Sequence, residues 1–285
     1  MAFEIANVTY YIVRIKMKKA LAIAIFISCF SATLLFAQVT DVQFLEKEVD
    51  ARVNVAGGLY QADLKIIFEN VTGLNANSLT ISAVQVNPLD LLSRFSDPAL
   101  ISIPSQLPVL ISITPTSGST LSFTGVVTID ISTSNLVFNQ SLRLFTSPAG
   151  GSFDDITNFS GVGSYRVHGT GGGFSDFVIV ADTRNTETVI QTKYTKLQDA
   201  LNANSALISP ITLQNLQAKY NASFVAYQSG SKDQAVTNLD AMIDLINSGA
   251  GMSIPNIYRA NDSATKNVAG ELRKIAGTLI FSLRL

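Results

Sequence analysis

Tryptophan is absent from this chain of 285 residues, Cys29 is its one cysteine and His168 its one histidine. Each scarcity closes off a class of chemistry. A single thiol allows neither an intrachain disulfide nor a thiolate metal site. A Ser-His-Asp mechanism would have to use His168 as its base, and no Gly-x-Ser-x-Gly elbow presents a serine for it. One imidazole without thiolates also cannot supply the usual ligands of zinc. Without tryptophan the chain lacks the stacking platform that many sugar sites use.

What the chain does have begins with an export signal. Met17-Lys18-Lys19, an apolar run from Ala20 to Phe36 and a closing Ala37-Gln38 are the three parts of a secretory signal peptide. The run falls short of the ~20 apolar residues that span a bilayer. Residues 1–37 are therefore expected to comprise an over-called start, Met1 to Lys16, and a signal peptide cleaved after Ala37. A lipoprotein signal ending at Ile27-Ser28-Cys29 is the rival reading, and its acylated cysteine would tether the protein. Four of the twenty basic and one of the twenty-one acidic residues precede Gln38, which leaves sixteen against twenty, a net charge of about −4. That balance gives no electrostatic reason to expect nucleic acid. The mature protein is expected to be secreted or periplasmic, without stable membrane insertion.

From Val42 to Ala181 short alternating runs rich in Val, Ile, Thr and Phe recur between turn residues, the pattern of an antiparallel β-sandwich of the immunoglobulin-like type. Val49, Ala51, Val53 and Val55 alternate with polar residues, as do Ala62, Leu64, Ile66 and Phe68 after Gly57-Gly58, which predicts a hairpin with one buried face. Further strands are expected at Leu79–Val86, Val109–Ile113, Leu121–Ile131, Leu142–Phe145, Tyr165–Val167 and Phe177–Ala181. Pro88, Pro98, Pro104 and Pro108 make residues 87–108 an irregular excursion.

The period changes after Asp182. Leu213, Leu216, Tyr220, Phe224 and Tyr227 form one helical stripe behind a Ser209 cap and Pro210. Ala235, Leu239, Met242 and Ile246 form a second, behind a capping box expected at Ser231–Gln234 and ahead of Gly249 and Gly251. Ala264, Val268, Leu272, Ile275 and Leu279 form a third, and a shorter helix is expected near Tyr194, Leu197 and Leu201. The alternation of residues 281–285 suits a short terminal strand. The chain thus divides into a sandwich over residues 38–182, a linker over 183–190 and a small α-helical bundle over 191–285, an α+β protein of two domains.

Chemistry is harder to find. Asp154-Asp155 is the best paired carboxylate, and a structural calcium ion and a solvated turn are both compatible with it. His168 reads as a solvent-exposed residue at a strand end. Gly169-Thr170-Gly171-Gly172-Gly173 lacks the Lys-Ser/Thr of a phosphate loop and reads as a tight or mobile inter-strand turn. No catalytic, cofactor-binding or metal-binding residue can be named.

The order Leu142-Arg143-Leu144-Phe145, residues 151–157, Gly163-Ser164-Tyr165-Arg166-Val167 and Gly173-Phe174-Ser175-Asp176-Phe177 resembles the closing strands of β-sandwich modules in bacterial surface proteins. Ala222, Tyr227, Gly230, Ala235, Leu239 and Ile243 are similar to the small helical modules that end many of them. The chain resembles an uncharacterised family of bacterial secreted two-module proteins. That resemblance implies export and architecture, and it carries over no catalytic residue. The expectation is a non-enzymatic binding or structural protein of the envelope or extracellular space. Its recognition loops would be residues 87–108 and 169–173, and its partner a protein or polysaccharide. The alternative is a carboxylate-based hydrolase of polysaccharide or peptide acting through Asp154, Asp155 or Asp176.

Overall fold

Strand β1 (Gln38–Phe44) opens the structure, a computed structural model that describes residues 38–148 and 150–285. The expected signal peptide, its expected cleavage point after Ala37 and Cys29 lie outside the described residues. Strands β2 (Glu48–Val55) and β3 (Tyr60–Thr72) follow as the expected hairpin, with Val55 opposite Tyr60 and Gly57 and Gly58 at positive φ in the turn. Alternation decides its faces: Val49, Ala51, Val53, Leu64, Ile66 and Phe68 are buried.

Next come β4 (Leu79–Gln85), helix α1 (Pro88–Leu91), β5 (Ile101–Ser102), β6 (Val109–Pro115), β7 (Ser122–Ser132) and β8 (Leu142–Ser147). The β part closes with β9 (Asp154–Asp155), β10 (Thr157–Ser160), β11 (Arg166–Gly171) and β12 (Asp176–Asp182). Helices α2 (Thr186–Ala203), α3 (Pro210–Gln228) and α4 (Lys232–Gly249) follow, then β13 (Tyr258–Arg259) and α5 (Val268–Leu283). One antiparallel sheet runs β1-β2-β3-β7-β11-β10 with β13 beside β7, and the other runs β4-β6-β12-β8-β9 with β5 beside β12. Both contribute to one apolar core that includes Ile66, Ile129 and Val167 from the first and Ile113, Leu144 and Phe177 from the second.

The excursion over residues 87–108 is ordered. Leu91, Phe95, Ile101 and Ile103 pack with Phe145, Phe153, Val178 and Val180 in a separate apolar cluster. This cover explains why β12 reads as a continuous apolar run, Phe177 to Ala181, rather than an alternating one: both of its faces are buried. The prolines locate the interruption of the sheet, as expected, but the segment is a lid on the second sheet instead of a free loop.

The helical stripes hold, with four corrections around them. Ser209 caps α3 through Thr212 N, and Ala235, Leu239, Met242 and Ile246 of α4 are fully buried. Ser231 makes no side-chain cap bond, because its backbone (φ −90°, ψ 69°) departs from the extended geometry that aims an Ncap oxygen at the first turn. The third helix begins at Val268 behind an Asn267 cap on Gly270 N, leaving Ala264 outside it. Residues 281–283 continue α5 rather than forming a strand, since Ile280 and Leu283 belong to the helical core. The presumed linker is mostly helix: Asn185 caps α2 by accepting from Glu187 N and Thr188 N, so only Thr183 to Asn185 lie between β12 and α2. Helices α2 and α5, α3 and α4, and α4 and α5 pack in pairs, and α5 also touches β7, β10 and β11. No helix among the described residues is long and apolar enough to cross a membrane.

Candidate functional site

Helix α5 is fastened to the first sheet by polar contacts at its start. Asn267 Nδ2 donates to Gly125 O at 2.7 Å, and Arg273 grips Glu69 of β3 with both terminal nitrogens. The glycine cluster belongs to the same contact. Gly169 is in β11, where a side chain would collide with the carbonyl of Ile156, and a Cβ on Gly172 would come within 3.2 Å of Glu271 N. Residues 172–175 carry the chain from one sheet to the other under α5. Of the two readings of this inter-strand turn, tight or mobile, the packing favours the tight one, and Gly169 and Gly172 are there for close approach.

The carboxylate pair ties the helices to the second sheet. Lys193 of α2 donates all three of its protons: to Asp155 Oδ2 at 2.6 Å, to Thr278 O at 3.0 Å and to Ser282 Oγ at 2.8 Å. Asp155 Oδ1 accepts from Thr157 N. The two side chains are 7% and 4% exposed. Burial alone would raise the Asp155 carboxyl, but the charge and hydrogen bond of Lys193 and the bonds from Thr157 outweigh it and hold the group below its usual value. Burial pulls Lys193 down against the attraction of Asp155. Asp154 pairs with Lys196 one turn along α2. Lysine ammonium groups therefore stand where the calcium reading would place an ion, and Asp155 is not in a solvated turn. Asp176 is held by Arg94 Nη2 at 2.9 Å and Ser112 Oγ at 2.7 Å. Among the described residues no group of three or more His, Cys, Asp or Glu could hold a metal ion.

Above these pairs, between α2, α5 and the second sheet, lies a cavity of about 430 Å³. Two helical stripes line it: Val189, Thr192, Lys193, Lys196 and Ala200 of α2, and Glu271, Lys274, Ile275 and Thr278 of α5. Phe145 and Phe153 form its apolar wall, and the exposed Thr192, Lys196 and Asp199 stand at its rim. Lys274 is the exceptional member, with no hydrogen-bond or ion-pair partner among the described residues. Burial lowers its amine, opposed by the charges of Glu271 and Asp154 and aided by that of Lys196. Glu271 itself accepts from Asn204 Nδ2 at 3.3 Å. A shallower depression of the same volume over β2, β3 and β7 is lined by the exposed Arg52–Asp63 pair and by serines, with little apolar wall.

His168 is placed away from this cavity. It sits within β11, half-buried and stacked on Phe159 with ring centroids 5.1 Å apart, so it is neither at a strand end nor free in solvent. Burial lowers its pKa, Asp130 raises it and Arg166 lowers it. Its Nδ1 is buried without a partner, and the carboxylate opposite, Asp130, is held by the Arg166 guanidinium. No hydrogen bond joins it to a serine among the described residues.

Sequence reasoning found Asp154 and Asp155 but missed Lys193, Lys196 and Lys274. The only signal was helical: Lys193 and Lys196 stand three apart beside the apolar stripe of α2, and Lys274 stands beside that of α5, positions that ordinarily mark a solvated face. No curated protein matches the chain. A family model matches residues 25–285, nearly the whole sequence, and the chain belongs to that family, a family of unknown function designated DUF6689.

Proposed function

We propose that the protein is an exported, non-enzymatic binding protein of the bacterial envelope or extracellular space, and that its cavity takes a small ligand with an apolar body and one acidic group. The observation that carries this reading is the unpartnered amine of Lys274 in a cavity walled by Phe145, Phe153 and Ile275. A volume near 430 Å³ falls in the range of ligand pockets, and a few fixed polar groups in an apolar wall are what orient a ligand. The Lys274 ammonium stands half-buried beside this apolar wall with no anion paired to it among the described residues, and a ligand carboxylate would give it a charge-assisted hydrogen bond. The immunoglobulin-like reading of the two sheets belongs to this proposal, supported by their antiparallel strands around one core. Export is supported by the signal-peptide pattern ending at Ala37. Asp154, Asp155 and Asp176 are each committed to a cation, so nothing in their geometry favours the hydrolase alternative.

The test is thermal unfolding of residues 38–285 against aliphatic and aromatic monocarboxylates, with cell-wall polysaccharides as a separate arm. A ligand that binds only the folded state raises the melting temperature in a saturable way. The expected result is a rise with an apolar carboxylate that is lost in Lys274→Met. A rise with polysaccharide alone, or one that survives in Lys274→Met, would refute the assignment of the cavity. N-terminal sequencing of protein exported by a bacterial host tests the other half: the expected first residue is Gln38, and retention of residues 1–37 in the cytoplasm would refute export.

A further inference from the structure

Among the described residues the first sheet ends at β1 and β10 and the second at β4 and β9, with the short β5 and β13 beside inner strands. A sheet edge offers a row of free backbone N–H and C=O groups to any passing strand, and soluble proteins blunt it with bulges, charges, short length or cover. All but one of these edges are blunted. Strand β1 breaks register between Thr40 and Gln43, where Asp41 takes a φ of 51°. Strand β10 breaks register between Thr157 and Phe159 and lies against α5. Strands β5, β9 and β13 are two residues long, and both carboxylates of β9 are tied to lysines of α2. Strand β4 has none of these devices. It runs seven residues, Leu79-Thr80-Ile81-Ser82-Ala83-Val84-Gln85, in unbroken register with β6, without a charge, a glycine or a proline.

The hydrogen-bond pattern assigns its free groups. Thr116 N donates to Ser78 O at 3.1 Å and Val86 N to Pro108 O at 2.9 Å, so the even-numbered residues bond to β6. By the alternation of an antiparallel ladder, Leu79, Ile81, Ala83 and Gln85 turn their N–H and C=O groups outward, where they meet no partner among the described residues. Leu79 and Ala83 bury their side chains in the core and Ile81 packs against it, while Thr80, Ser82 and Val84 are exposed on the outer face. Residues 70–89 carry no charged side chain, so two copies of a chain with a net charge of about −4 can bring this stretch together without local repulsion. We propose that β4 is the contact between two copies of this chain, paired antiparallel about a twofold axis at Ser82 so that the two second sheets become one. That register alone sets Leu79 opposite Gln85 and Ile81 opposite Ala83, so every outward N–H of each copy meets an outward C=O of the other. On the outer face it sets Thr80 opposite Val84 and Ser82 opposite itself, pairs with no like charges. A twofold contact closes on itself, so the edge is consumed in a dimer instead of propagating into a fibre.

Sedimentation velocity of residues 38–285 from low to high micromolar concentration tests the proposal, together with hydrogen exchange of the β4 amides and two variants. Ser82 is exposed, so a longer or sulfur-bearing side chain there leaves the single chain undisturbed. The expected result is a shift of the wild type from the mass of one chain to that of two. The amides of Leu79, Ile81, Ala83 and Gln85 should gain protection over the same range, while those of Thr80, Ser82 and Val84 are protected throughout. Ser82→Lys sets two ammonium groups against each other at the axis and should hold the protein at one chain at every concentration. Ser82→Cys should cross-link to the mass of two chains under mild oxidation. Directly opposed residues of a non-hydrogen-bonded antiparallel pair lie about 4.5 Å apart at Cα, within disulfide reach, and residues 38–285 hold no cysteine that could compete. Should Ser82→Lys fail to fold, the cross-link and the alternating exchange pattern keep the test decisive. A wild type that stays a single chain would leave this edge to a strand of another protein and overturn the proposal. A dimer that survives Ser82→Lys, or one in which the odd-numbered amides stay unprotected, overturns it as well.

Discussion

Replacing Lys193 with methionine should be among the most damaging single changes that keep the volume of the side chain. Methionine retains most of the aliphatic stem, so packing in α2 is largely preserved, but Asp155 is left ionised, 4% exposed and without its cation. Removing one partner of a buried pair costs about 3–5 kcal/mol. For a chain of this size each kcal/mol corresponds to about 2–4 °C, so the melting temperature should fall by about 10 °C. Urea unfolding at pH 7 should show a lower midpoint with an unchanged slope, the signature of altered stability rather than altered compactness. The deficit should also depend on pH with a definite sign. In the wild type the Asp155 carboxyl is depressed, so its contribution is present above the unfolded-state value near 3.9 and is lost as pH falls through the lower folded value. In the variant only burial and the Thr157 bonds remain, the carboxyl is raised, and protonation relieves the strain of the uncompensated charge. The two stability curves should therefore converge as pH drops from 7 toward 4. Asp155→Asn combined with Lys193→Met should recover most of the loss, because asparagine still accepts from Thr157 N at that position. A deficit below about 1 kcal/mol at pH 7, or one unchanged between pH 7 and pH 4, would refute the reasoning.

Two further outcomes follow from packing. Gly169→Val should destabilise by several kcal/mol, read as a fall of about 10 °C in melting temperature, because its side chain would run into the Ile156 carbonyl; an unchanged midpoint would show that the chain at Ile156 does not press on β11. Arg94→Met removes the cation from Asp176 and three hydrogen bonds that hold the lid over the second sheet, so limited proteolysis should cut within residues 87–108 while the rest of the chain resists; uniform resistance would mean that the apolar cluster alone holds the lid.

The hairpin, most of the longer strands and the buried stripes of α3, α4 and α5 were legible because each is a periodic signal carried by neighbouring residues, whereas β1, β10 and β13 were not expected. Val49 to Val55 alternate, and Leu239, Met242 and Ile246 repeat every three or four, whatever lies across from them. The failures were of another kind. Ser231 carries a capping signature, yet the local backbone aims its oxygen elsewhere. The cluster Gly169 to Gly173 was read as a turn either tight or mobile, since a sequence reports the absence of a side chain but not the approach to Gly172 of a helix from about a hundred residues away. Asp154 and Asp155 were read as a solvated or metal-binding pair because nothing adjacent announces Lys193 and Lys196, which arrive on a helix that sequence alone treated as the start of a separate bundle.

The sequence by itself determined most of the longer strands, the three apolar helical stripes and the faces they bury, because periodicity is a property of the residues alone. Only the tertiary structure decided that the helices close against the sheets, that each acidic residue of the pair meets a lysine, and that Lys274 has no such partner among the described residues. Charge pairing in a folded protein is set by distances between residues far apart in the chain, and no local pattern encodes which cation meets which carboxylate.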